Sequence, residues 1–204
     1  KPLMALNSGL YQSKIENANT TTYFYYQKIP ISSYLIAIAA GAIEGRKISE
    51  RTTVYAEAEE VDKAALEFAD TEKYLQTAES YTYAYEWGEY NILVLPPAFP
   101  YGGMENPTLT YATPALIAGD KSLANVIIHE ITHSWSGNLV TMNAWNDLWL
   151  NEGLTMFIQR KIEEELFGND VMKVASQMGY FSLQENIAMF GESHDYTSLR
   201  PYLV

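Results

Sequence analysis

Asn125-Val126-Ile127-Ile128-His129-Glu130-Ile131-Thr132-His133 sets two histidines four residues apart in an apolar run, with a carboxylate beside the first. On an α-helix a four-residue step turns the chain by about 400° and advances it by about 6 Å, so both imidazoles project from one face. They can share one metal ion, and His-Glu-x-x-His on a helix is a known zinc pattern in which the Glu acts as general base. The bland alternative is a chance pair of core or surface histidines. The chain has three histidines in 204 residues, and two of them at metal spacing around a carboxylate favour zinc.

A catalytic zinc usually takes three protein ligands and keeps one position open. The chain has no cysteine, so every ligand must be nitrogen or oxygen. Glu152, nineteen residues after His133 within Trp149-Leu150-Asn151-Glu152-Gly153, is the candidate third ligand, because it opens a second helical stretch that would face the first. The alternative is a glutamate placed at a helix N-terminus for its interaction with the macrodipole. Zinc lowers the pKa of water it binds towards ~7, and Glu130, not itself a ligand, would take the proton as that water attacks a carbonyl. One ion per chain is expected. His194 stands at no ligand spacing and reads as a surface residue.

Upstream lies Pro100-Tyr101-Gly102-Gly103-Met104-Glu105-Asn106-Pro107. Gly-Gly and Asn-Pro commonly mark a tight turn. The same glycines would also let a peptide backbone approach closely, with Glu105 available to a cation, and the neighbouring zinc pattern favours this second reading.

The formal charge of −12 and pI near 4.6 argue against nucleic acid or an anionic membrane as main partner, since both call for basic patches. No apolar run reaches the ~18 to 20 residues that span a bilayer; the longest candidate is Tyr34 to Ile43. No signal peptide is visible at Lys1, and Asn19-Thr20-Thr21 reads as a chance glycosylation triplet. A cytoplasmic location is expected, with a secreted or periplasmic one left open. Oligomeric state is not legible.

Along the chain, residues 1 to about 19 read as irregular or a single strand, and Tyr23 to Ile29 and Tyr34 to Ala42 as two strands of a β-rich unit. Thr52 to Ala56 reads as another strand. A helix is predicted over 59–80 from the recurrence of Val61, Ala65, Phe68, Leu75 and Ala78. Ile92 to Leu95 has the profile of a buried strand, and Thr108 to Thr113 that of an accessible edge ended by Pro114. Asp120 would cap a helix over 121–135, stopped by Gly137 and Asn138, and further helices are predicted over 147–167 and 171–190, the last interrupted at Gly179.

Taken together, Gly102-Gly103-Met104-Glu105-Asn106, His129-Glu130-Ile131-Thr132-His133-Ser134-Trp135, Gly137-Asn138-Leu139-Val140-Thr141 and Trp149-Leu150-Asn151-Glu152-Gly153 resemble the gluzincin aminopeptidases of the aminopeptidase N type. Leu93-Val94-Leu95-Pro96-Pro97 through Tyr101, and Ala118-Gly119-Asp120-Lys121-Ser122-Leu123, are similar to the leukotriene hydrolase/aminopeptidase branch in particular. The resemblance implies an α+β fold: residues 1–44 as the end of a β-rich domain, and 45–204 as the N-terminal part of a thermolysin-like catalytic domain. It implies His129, His133 and Glu152 as zinc ligands, Glu130 as general base, Glu105 as the group that recognises a free α-amine, and Tyr101, Gly102, Gly103 and Met104 along the substrate. The family's oxyanion-binding tyrosine has no match here, since neither Tyr196 nor Tyr202 sits in its motif. The expected activity is a zinc aminopeptidase acting on peptides with a free N-terminal amine; the alternatives are an epoxide hydrolase, as in bifunctional members of the branch, or a zinc-binding fragment without turnover.

Overall fold

The computed structural model describes residues 3–201, so Tyr202 lies outside them. The chain opens with β1 (Met4–Asn7), β2 (Leu10–Glu16), β3 (Thr21–Tyr26) and β4 (Ile38–Gly41). β1 pairs antiparallel with β4, and β2 with β3. Residues 3–19 therefore hold two strands, not irregular chain or a single one. Nearly all of β2 is exposed, and a strand without a buried face lacks the alternation that would reveal it. Tyr34 to Ala42 is not one strand either: Leu35 N–H bonds the Ser32 carbonyl at 3.0 Å, closing a turn before β4 begins.

β5 (Ile43–Lys47) and β6 (Thr53–Glu57) start a five-stranded sheet. Then come α1 (Val61–Glu67) and α2 (Thr71–Tyr81), where one helix over 59–80 was expected. The break falls where both the Thr71 N–H (3.0 Å) and the Thr71 hydroxyl (2.7 Å) take the Phe68 carbonyl. The apolar spacing survives the break because Val61, Phe68, Leu75 and Ala78 all enter the same core.

β7 (Asn91–Val94), β8 (Gly103–Met104) and β9 (Leu109–Ala112) complete the sheet in the order β5-β6-β7-β9-β8. β7 runs parallel to both its neighbours and is buried throughout, as its unbroken apolar run predicts. β9 is not the edge that its proline suggested. Pro114 lies beyond the strand, Thr113 N–H still reaches the Gly102 carbonyl at 3.0 Å, and the glycine loop itself supplies the edge strand β8.

α3 (Ala124–Thr132), α4 (Leu148–Phe167) and α5 (Asn169–Phe190) follow. α3 starts later than predicted because Asp120 caps a turn, accepting from Ser122 N–H at 2.9 Å, while the Glu67 carboxylate accepts from Gly119 and Lys121 N–H at 2.7 Å each. α5 is not interrupted at Gly179, whose missing side chain leaves room for the Arg160 guanidinium. α4 packs against α2, α3 and α5.

Ile92 and Val94 point into the main core with Val54, Leu75, Ile127, Ile128, Ile131 and Ile162. Leu93 and Leu109 point the other way and meet Leu6 of β1. The sheet thus carries helices on one face and the N-terminal strands on the other, an α+β arrangement whose strand alternation separates the two cores. Among the described residues no helix is long and apolar enough to cross a membrane.

Candidate metal centre

Packing of Ile127, Ile128 and Ile131 into the core fixes how α3 is turned, and so where its histidines point. His129 projects from the last turn and His133 caps the C-terminus. Their Nε2 atoms lie 3.0 Å apart, and Glu152 Oε2, from the first turns of α4, lies 3.3 Å from the first and 3.6 Å from the second. Tetrahedral zinc with bonds of ~2.05 Å would set its ligand atoms about 3.3 Å apart.

The far side of each ring is tied down. His133 Nδ1 lies 2.9 Å from the Ser136 carbonyl oxygen, and His129 Nδ1 lies 2.9 Å from Gln159 Oε1. Both partners accept, so each Nδ1 carries the proton and each Nε2 presents a lone pair. Two lone pairs aimed at one another across 3.0 Å, beside a carboxylate oxygen, repel unless a cation lies between them. The donor set of two imidazoles and one carboxylate fits zinc. Burial would lower the pKa of both histidines, but the Glu152 hydrogen bonds prevail and raise them; in return His129 and His133 hold Glu152 well below the usual carboxylate range.

Glu130 points from α3 towards the sheet edge and is buried. Burial pushes its pKa up to about 8, with His129 opposing the rise and the charges of Glu105 and Glu152 adding to it. A Cβ at Gly103 would overlap the Glu130 carboxylate, so here only glycine lets backbone and carboxylate meet. Ligand atoms of Glu105, Glu130 and His133 all lie within 4.8 Å of one another. Asn138 secures this corner, its Nδ2 donating to the Glu105 carbonyl at 2.7 Å.

The structure therefore brings together His129, Glu130, His133, Glu152, Glu105 and Gly103. Met104 shares β8 with Gly103. A Cβ at Gly102 would make only ordinary contact with Val126, so space does not demand glycine there. Tyr101 is 67% exposed, and its ring packs edge-on against Phe99 rather than on a metal-site residue. His194 is exposed as expected, and its Nδ1 accepts from Tyr196 N–H at 3.1 Å.

Several functional neighbours escaped the reading of the sequence. Tyr34 has a buried hydroxyl and a ring 5.0 Å from that of Trp145; burial first, then the charges of Glu105 and Glu152, raise its pKa, which places it beside the centre. Thr155 and Gln159 follow Glu152 at helical spacings, and with Asn151 and Glu163 they form a buried polar stripe on α4. Polar residues at three- and four-residue steps on an inward helix face were the available signal.

Comparison with known proteins bears on the whole chain. The model of the Peptidase family M1 domain matches residues 65–199. Leukotriene A-4 hydrolase of Xenopus laevis is 47% identical over 206 residues, a span covering 100% of this chain and 34% of that protein. Leucine aminopeptidase 2 of Sclerotinia sclerotiorum is 44% identical, with 97% and 34% covered. The solved structure of native yeast LTA4 hydrolase superposes with a TM-score of 0.91 at 43% identity, covering 99% of this chain and 32% of that one. The same yeast enzyme in complex with bestatin gives 0.91 at 42% identity, with the same coverage. The chain thus spans about a third of the length of these relatives.

Proposed function

The chain belongs to peptidase family M1, and from that membership we propose that it carries the metal centre and amine-recognition corner of a zinc aminopeptidase. The observation that carries the reading is the triangle of His129 Nε2, His133 Nε2 and Glu152 Oε2 at 3.0, 3.3 and 3.6 Å, with both Nδ1 atoms already engaged. Zinc held there would supply Lewis acidity towards a carbonyl and lower the pKa of water.

The chain's own residues do the rest. Glu130 accepts a proton on its carboxylate, whose burial beside the ligands raises its basicity. Glu105, close to Glu130 and His133, pairs with the α-ammonium of the substrate and so selects a free N-terminus. The Gly102 to Met104 edge lies along the substrate backbone, with Tyr101 at its outer end. On this reading residues 1–44 end a β-rich domain and 45–204 begin the catalytic one; the large sheet starts two residues before that division, with β5 at Ile43.

The test joins metal and substrate. Elemental analysis should find one zinc per chain, and a polypeptide of the relatives' length should cleave a free-amine peptide but not its N-acetylated form. Absence of zinc, or equal cleavage of both peptides, would overturn the reading. Relatives named as leukotriene hydrolases favour testing a fatty epoxide beside the peptide; turnover of the epoxide alone would support the alternative activity.

A further inference from the structure

Gln159 and Glu163 lie four residues apart on α4 and are 5% and 4% exposed, buried behind the metal centre. Gln159 Oε1 is 2.9 Å from His129 Nδ1, and Gln159 Nε2 donates to Glu163 Oε1 at 2.7 Å. The three side chains form a single file of hydrogen bonds, and its direction can be worked out from one end. A carboxylate only accepts, so the amide must turn its nitrogen to Glu163. Its oxygen then faces His129, and because that oxygen also only accepts, His129 must carry its proton on Nδ1. The lone pair is left on Nε2, the atom 3.3 Å from Glu152.

Gln159 could not impose this order by itself. An amide has a donor face and an acceptor face of nearly the same shape. Turned over, it would offer N–H to Nδ1 and favour the tautomer protonated on Nε2, which has no lone pair for a metal. His133 needs no such control, because its Nδ1 faces a backbone carbonyl that can only accept. The two histidines are therefore held by different means, one by the fixed main chain and the other by a reversible amide whose direction is set by a charge one helical turn further on.

We propose that Glu163 is a positioning residue that fixes, through the Gln159 amide, the tautomer of His129 and with it the affinity of the centre for zinc. This rests on the reading of His129 as a ligand. Glu163→Gln keeps the size of the side chain and still permits the native order, but no longer enforces it. The zinc Kd, measured by competition with a chelator, should rise about 10-fold, the lower end of the range for outer partners of metal ligands. In the metal-free protein the ring ¹⁵N shifts of His129 should move from the single Nδ1-protonated form towards a mixture of tautomers.

A double-mutant cycle separates this role from a merely structural one. Glu163 acts through the amide, so once Gln159→Leu is in place, Glu163→Gln should change the zinc Kd no further. Folded fractions are matched by circular dichroism before each titration. An unchanged Kd with unchanged ring shifts in Glu163→Gln overturns the proposal, as does an equal loss of affinity with and without Gln159. If His129→Ala retains full zinc affinity, the ligand reading itself fails, while the ring shifts in the metal-free protein still decide whether Glu163 sets the tautomer.

Discussion

Two helices of this chain show how differently similar segments can be used. α3 is nine residues long and buries Ile127, Ile128, Glu130, Ile131 and Thr132, whereas α5 is twenty-two residues long and fully buries none. α3 is wedged between the sheet edge, α2 and α4, so that its isoleucines enter the core and His129 and Glu130 line the candidate metal centre. α5 leans on α4 and leaves Val174, Met178 and Phe181 exposed. A site held to fractions of an ångström needs side chains locked by packing on a rigid element. Length and helicity alone do not provide that.

The contrast predicts that function is concentrated in α3. The largest effect should come from Glu130→Gln, which removes the proposed base and leaves the proposed ligands: in a polypeptide of the relatives' length, turnover of a free-amine peptide should fall by about 10²- to 10⁴-fold, with zinc content by elemental analysis unchanged. Retained turnover would remove Glu130 from the chemistry. For packing, Ile128→Ala opens a cavity beneath the centre and should cost about 2 to 5 kcal/mol in urea unfolding. In the 204-residue chain Val174→Ala on α5 should stay within about 0.5 kcal/mol. Equal costs would erase the distinction between the helices.

Chelation sharpens the comparison without any mutation. On the proposed ligand set, removing zinc should speed amide exchange in the last turn of α3 and the first turns of α4, and leave α5 unaltered. Uniform acceleration would show that the metal stabilises the whole chain rather than one junction.

A modest effect lies away from both helices, where Arg51 Nη2 sits 3.1 Å from Glu72 and 2.8 Å from Glu79. The Arg51 hydrogen bonds hold Glu79 below its ordinary pKa against burial; for Glu72 burial raises the value, but the bonds from Arg51, Ser49 and Gln76 outweigh it. A lowered folded pKa gives stability that is present above the unfolded value of about 4.3 and fades as pH falls through the folded one. These groups are partly exposed, so about 1 kcal/mol is at stake. Urea midpoints of Arg51→Gln should therefore depend less on pH below ~5 than those of the unmutated chain.

The pairing of His129 and His133 was legible because helical spacing is a short-range property: the two lie one turn apart wherever the helix sits. Glu152 could be named from its place in Trp149 to Gly153, and the fold brings its oxygen to both rings. The edge strand was not legible. Strand order depends on which segments meet across the fold, and Thr108 to Thr113 looks the same inside a sheet as at its border. The break between α1 and α2 was hidden for the opposite reason, since core packing kept the apolar period running through it. Gln159 and Glu163 went unread because their four-residue steps from Asn151 and Thr155 are equally the steps of a solvated helix face, and only the packing of α4 tells the two apart.

Gly168 alone joins α4 to α5, with φ +96° and ψ 160°, a combination essentially restricted to glycine. Mechanically this is a single joint between two arms. At 1.5 Å per residue, the twenty-two residues of α5 make an arm of about 33 Å. A rotation of about 10° at the joint would carry its far end through about 6 Å. Glu152 sits near the opposite end of the other arm, in the first turns of α4, so the direction in which α5 points is set at one residue far along α4 from that carboxylate.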